Sequence, residues 1–134
     1  MTVVKREQLP LQTSSDVVVA RQKVRQWAIE LRFSLVDQTK LVTAASELAR
    51  NALDHGQGGQ MTIEVVNGAV RNGIKLVFED HGPGIPDIEM ALKDGFTTGS
   101  GMGLGLGGSK RLVNDFSIES EAGKGTKVTV TRWK

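Results

Sequence analysis

Glu47, Asn51 and His55 recur every four residues in the stretch Ser46-Glu-Leu-Ala-Arg-Asn-Ala-Leu-Asp-His-Gly56. Four residues is close to one helical turn, so a helix here lines an acid, an amide and an imidazole along one face. Leu41, Ala45, Leu48 and Ala52 form an apolar stripe beside that row. The pattern predicts a helix from about Val36 to His55, stopped by Gly56. Any fold for this chain must bury the stripe, which leaves the polar row at the rim of a core. Taken alone, the row also fits a solvated helix face with charged residues four apart.

The flanking segments extend the pattern. Residues 2–12 alternate weakly and end in Leu9-Pro10-Leu11, which suits an edge strand, where proline is tolerated. Ser14, Ser15 and Asp16 offer an N-cap to a helix over 15–33, with Val17, Ala20, Val24, Trp27, Ala28 and Leu31 at helical spacing. Two strands are expected at Gln60–Val66 and Gly73–Glu79, joined by a turn at Asn67-Gly68 or Asn72-Gly73. A short helix over 86–94, a glycine-rich loop over 95–108 and a helix from about 108 to 115 come next. Strands Phe116–Glu121 and Thr126–Trp133, linked by Ala122-Gly-Lys-Gly125, close the chain. This order predicts an α/β (α+β) two-layer sandwich: one mixed, mostly antiparallel sheet with the helices on one face, in a single domain over 1–134.

Three groups of residues suggest chemistry. An Asn oxygen such as that of Asn51 suits Mg²⁺, a hard cation that keeps several waters and shares phosphate ligands. A carboxylate one turn earlier, Glu47, suits a general base. The segment Asp80-His-Gly-Pro-Gly-Ile85 follows the apolar strand Ile74–Phe78 directly. A carboxylate at a strand end can accept hydrogen bonds from an exocyclic amine such as that of adenine, and Gly82 and Gly84 let a flat ring approach. An ordinary Asp/Gly/Pro turn is the alternative. Glycines at 99, 101, 103, 105, 107 and 108 stand before a predicted helix start, where backbone amides make an anion site. A P-loop is excluded: Gly108-Ser109-Lys110 lacks the Gly-Lys-Ser/Thr order, and no strand leads straight into the loop.

Composition narrows the classes. The chain has 134 residues, 39% apolar and 24% charged, as a globular domain does. Aromatic content of 4% leaves Val, Leu, Ile and Ala to build the core. A net charge of +2, with no block of like charges, argues against a nucleic-acid partner. With no cysteine, disulfides, thiolate metal sites and a Cys nucleophile are excluded. The opening Met-Thr-Val-Val-Lys-Arg-Glu has no apolar signal-peptide run and no stretch reaches the length of a membrane span, so a cytoplasmic location with no membrane partner is expected.

Together and in this order, the motifs resemble those of the Bergerat-fold (GHKL, HATPase_c) ATPases, the superfamily of gyrase, Hsp90, MutL and the sensor histidine kinases. Glu47-x-x-x-Asn51-x-x-x-His55 is similar to the N box, Asp80-x-Gly82-x-Gly84 to the G1 box and Gly101-x-Gly103-x-Gly105 to the G2 box. Gly125-Thr126 resembles the Gly-Thr that closes the adenine pocket. Within the superfamily the chain looks like the anti-sigma-factor serine/threonine kinases, of the RsbT type. That likeness lies in Val18-Val-Ala-Arg-Gln22, Ser46-Glu-Leu-Ala-Arg-Asn51, Glu79-Asp-His-Gly-Pro-Gly-Ile-Pro-Asp87, Asp94-Gly-Phe-Thr-Thr98 and Lys110-Arg-Leu-Val-Asn-Asp-Phe116.

The resemblance implies ATP and Mg²⁺ as cofactors, Asn51 as the Mg²⁺ ligand and Glu47 as the base. It implies that Asp80 reads the adenine amine with Thr126 near it, and that His55, Gly82, Gly84 and Ile85 belong to the nucleotide site. Thr98, Gly101, Met102, Gly103, Leu104 and Gly105 would contact the nucleotide from a lid over 94–106. It implies a Ser or Thr on a STAS-domain antagonist protein as phosphoacceptor, in a stress-response (stressosome) switch, and a PP2C-type phosphatase as the partner activated when the kinase is free. Two alternatives stay open: an anti-sigma factor of the RsbW or SpoIIAB type that holds a sigma factor directly, and a binding module that uses ATP only as a conformational switch. A sensor histidine kinase is disfavoured, because His55 and His81 both lie inside nucleotide boxes.

Overall fold

The computed structural model describes residues 2–85, 92 and 106–134. In chain order these form β1 (Thr2–Leu11), α1 (Ser14–Glu30), α2 (Leu35–Asp54), β2 (Gly59–Asn67), β3 (Asn72–Asp80), α3 (Leu106–Arg111), β4 (Asp115–Glu121) and β5 (Gly125–Trp133). The predicted short helix over 86–94 lies outside the described residues except for Leu92, and so does most of the glycine-rich loop.

The strands make one five-stranded sheet in the order β1-β2-β3-β5-β4, and every neighbouring pair is antiparallel. The expected two-layer sandwich is present, with no parallel pair among the described residues. β1 is an edge strand, so Pro10 removes only one N–H from one side of the ladder. The connection from β3 to β4 carries the chain to the far edge, and β5 returns between them. Asp80 and Thr126, 46 residues apart, thereby become direct neighbours.

Alternation on the central strand explains the layering. Ile74, Leu76 and Phe78 of β3 point into the core with Met61 and Ile63 of β2 and Val128 and Val130 of β5. The α2 stripe of Leu41, Ala45, Leu48 and Ala52 is buried against them, with relative exposures of 0–3%. Val17, Ala20, Val24, Trp27 and Ala28 of α1 complete the core. The core is aliphatic as expected; Trp27 is its largest ring and also carries the Lys5 ammonium 4.2 Å from its centroid. On the opposite face of the sheet, Glu64 lies between Arg6 (3.6 Å) and Lys75 (3.9 Å), residues in register across β1, β2 and β3.

Element ends depart from expectation for local reasons. The N-cap of α1 is Thr13, not Ser14, Ser15 or Asp16. The Thr13 hydroxyl accepts from the Asp16 N–H (3.1 Å) and the Asp16 carboxylate accepts from the Thr13 N–H (3.1 Å), a reciprocal capping box. The same helix ends at Glu30, before the expected residue 33, because Arg32 turns left-handed at φ 64°. Phe33 N–H then donates to Ala28 C=O and Arg32 N–H to Ile29 C=O, the Schellman arrangement. Ser34 caps α2 through the Asp37 N–H. The last helix runs over 106–111 and not 108–115. Asn114 is claimed by the sheet: its N–H donates to Thr131 C=O and its side-chain oxygen accepts from Trp133 N–H (2.7 Å). Trp133 is half-buried at the end of β5 and donates its indole N–H to Asp115.

Candidate nucleotide site

The polar row of Glu47, Asn51 and His55 is present with one change. Glu47 and Asn51 lie on α2, while His55 is the residue that caps it, with its N–H still donating to Asn51 C=O (2.9 Å). Asn51 and His55 are half-buried and line a cleft together with Gly56, Asp80, Gly84, Ile85, Leu106 and Thr126. Glu47, one turn back, is exposed and is not among the residues lining that cleft.

Asp80 is the centre of the cleft. It ends β3 and stands directly opposite Thr126 of β5, which in turn stands opposite Ser120 of β4. The register thus lays a carboxylate and two hydroxyls in one row across three strands, all on the helix-bearing face. One Asp80 oxygen, Oδ1, accepts from the Gly82 N–H (3.0 Å) and the Thr126 N–H (3.2 Å). Burial pushes the carboxyl above the usual Asp range; the Gly82 and Thr126 N–H groups and the nearby His81 oppose that rise in part. A half-buried carboxylate with one oxygen held by backbone donors suits recognition of an amino group more than structural pairing.

Glycines let the backbone close around it. A Cβ on Gly56 would stand 2.5 Å from the Asp80 Cβ and nearer still to its carboxylate, while one on Gly82 would stand 2.6 Å from the Gly56 Cα. Gly125 has φ 90° and faces the Asp80 carbonyl oxygen, where a side chain would collide. Gly84, at φ 78°, lies against the Glu121 carbonyl in the same way. The end of α2, the G1-like segment and the β4–β5 hairpin therefore meet at Asp80.

The structure accordingly brings Asn51, His55, Asp80, Gly82, Gly84, Ile85 and Thr126 together. Thr98, Gly101, Met102, Gly103, Leu104 and Gly105 lie outside the described residues. Sequence reading missed Gly56, Leu106 and Ser120. Ser120 Oγ accepts from the Ile85 N–H (2.7 Å) and lies 3.1 Å from Gly125 C=O and 2.9 Å from Thr126 Oγ1. The hairpin held the signal: once Ala122-Gly-Lys is taken as its turn, Ser120 falls opposite Thr126. Among the described residues no three His, Asp or Glu side chains converge as a metal cage, and no helix is long and apolar enough to cross a membrane.

Comparison with known proteins agrees with this geometry. Residues 36–134 match the family described as histidine kinase-, DNA gyrase B- and HSP90-like ATPase. The chain is 47% identical over 123 residues to the serine/threonine-protein kinase RsbT of Bacillus subtilis, covering 92% of each chain. It is 33% identical over 125 residues to the anti-sigma F factor of Geobacillus kaustophilus, covering 86% of this chain and 82% of that one. The crystal structure of the RsbU and RsbW domains of a Mycobacterium tuberculosis protein superposes with a TM-score of 0.66 at 22% identity; the match covers 97% of this chain and 33% of that one, and supports the fold. The chain belongs to the histidine kinase-, DNA gyrase B- and HSP90-like ATPases, within their branch of RsbT-like serine/threonine-protein kinases and anti-sigma factors.

Proposed function

We propose that residues 1–134 work as one ATP-dependent kinase unit whose substrate is a Ser or Thr on a STAS-domain antagonist protein, and which activates a PP2C-type phosphatase when free of that antagonist. The observation that carries the reading is the half-buried Asp80 carboxylate, with one oxygen fixed by two backbone N–H groups, facing Asn51 and His55 across one cleft. Asp80 takes the adenine amine beside Thr126. Gly82, Gly84 and Ile85 floor the base, and His55 lies by the phosphate chain. Gly101, Gly103 and Gly105, with Thr98, Met102 and Leu104, complete the set of nucleotide-binding residues in this reading.

Asn51 fits an Mg²⁺ ion: it offers a neutral oxygen donor at the cleft, where phosphate oxygens and water supply the remaining ligands that this hard cation prefers. Bound there, the ion supplies charge neutralisation to the phosphate chain. Phosphoryl transfer is mostly positioning and charge stabilisation, so the chain needs no phosphoacceptor of its own. Glu47 stands one turn from Asn51 on the open side of α2, where a partner's hydroxyl can reach it and give up its proton.

The test is incubation with labelled ATP and Mg²⁺ and candidate STAS proteins. Label should reach the STAS partner with the wild type and not with Asp80→Asn. An unlabelled partner, with Asp80→Asn indistinguishable from wild type, sinks the reading. The likeness to anti-sigma F factors favours a second reading, direct retention of a sigma factor. A pull-down that offers a sigma factor and a STAS protein side by side separates the two.

A further inference from the structure

The row Asp80–Thr126–Ser120 carries more than its first two members. Ser120 sits on the edge strand β4, half-buried, with its side chain on the cleft face. Its hydroxyl has one proton and two lone pairs, and three neighbours. The Ile85 N–H, 2.7 Å away, can only donate to it. The Gly125 carbonyl, 3.1 Å away, can only accept from it. The Thr126 hydroxyl, 2.9 Å away, can do either. Only one arrangement makes all three bonds: Ser120 gives its proton to Gly125 C=O, and Thr126 gives its proton to Ser120. The reverse arrangement forfeits the Gly125 bond and leaves that carbonyl without the Ser120 proton.

We infer that Ser120 is a specificity-setting residue that holds the Thr126 hydroxyl with its lone pairs towards the cleft, so that Asp80 and Thr126 together present acceptors to the base. This rests on the reading that Asp80 takes the adenine amine. An acceptor pair favours a purine with an amino group at that position and disfavours one with a keto oxygen, which would face two acceptors with no proton between them. Ser120 acts through Thr126 and Ile85; it is a positioning residue and not a catalytic one.

The measurement is the affinity for ATP against that for inosine triphosphate, which carries a keto oxygen in place of the amine. Wild type should prefer ATP. In Ser120→Ala the Thr126 hydroxyl is free to rotate and donate, so the preference should narrow by about fivefold, one hydrogen bond's worth. Ser120→Cys, nearly the same shape but a weak hydrogen-bonding group, should narrow it in the same direction; Ser120→Thr should keep it. In a Thr126→Val background, Ser120→Ala should leave the ratio where Thr126→Val alone put it. The inference is overturned if Ser120→Ala and Ser120→Cys keep the wild-type ratio, or if the narrowing persists without the Thr126 hydroxyl. Asp80→Asn with wild-type ATP affinity and preference would overturn the adenine reading itself, and the Ser120 inference with it.

Discussion

Gly56→Ala offers a sharp test of how the site is built. Gly56 is not among the residues with positive φ, so its backbone conformation is open to alanine and only space is at issue. The added Cβ would lie 2.5 Å from the Asp80 Cβ, and ordinary contact begins near 3.4 Å, so Asp80 would have to retreat by at least about 0.9 Å. The bonds from Gly82 N–H and Thr126 N–H to Oδ1, now 3.0 and 3.2 Å, cannot both survive such a shift. Hydrogen bonds to a charged group contribute about 1.5–3 kcal/mol each. Losing the geometry of one of them should weaken ATP binding by roughly 10- to 100-fold, at 1.4 kcal/mol per decade. Titration calorimetry with ATP reads the affinity, and thermal unfolding shows that the fold persists. A variant that binds ATP within about twofold of wild type would refute the claim that Gly56 is glycine to make room for the Asp80 carboxylate.

Three further outcomes follow from named contacts. Arg32→Gly should stabilise the protein by about 1 kcal/mol in urea denaturation, because φ 64° suits glycine better than a residue with a Cβ. Asp37 is held below its usual range by its hydrogen bond to Arg132 (2.6 Å), helped by the charge of Arg132 and by Ser34. Its stabilising contribution is therefore present at neutral pH and lost as pH falls through the depressed value; Asp37→Asn should be less stable at pH 7, with the gap closing in strong acid. Asp80 has the opposite sign. Its carboxyl is raised, so ionising it costs folded-state stability as pH rises through that raised value. Asp80→Asn keeps an oxygen for Gly82 and Thr126 N–H, so it should melt above wild type at pH 7 and level with it in acid, while ATP binding is lost.

The parts of the site legible in the sequence were those whose partners are local. Asn51 and His55 follow Glu47 by helical spacing, and the apolar stripe beside them fixes which way α2 faces. The Asp80 segment is marked by its place after an apolar strand. The ends of α1 depart from the expected bounds because a cap is decided by geometry: Thr13 outcompetes Ser14 once Asp16 bonds back to it, and a left-handed Arg32 has no composition signal. The early end of α3 depends on Asn114 finding β5, which no local pattern encodes.

The polar row is the instructive case, because it is legible only through topology. Asp80 and Thr126 adjoin because β5 inserts between β3 and the edge strand β4. Ser120 adjoins Thr126 because a three-residue turn sets the hairpin register, Glu121 opposite Gly125 and Ser120 opposite Thr126. Had the turn one residue more or fewer, the period-two alternation of the strand would send the Ser120 hydroxyl to the opposite face and leave Ile85 N–H without its acceptor. Gly123 in that turn and Gly125 just after it, both at positive φ, thus fix more than a bend. They set which hydroxyl stands beside Thr126, and through it the hydrogen-bonding character of the wall that meets the base. A single-residue insertion at Gly123 should therefore narrow the ATP preference as Ser120→Ala does, with Ser120 itself untouched; an insertion that leaves the preference at its wild-type value would show that Thr126 needs no partner on β4.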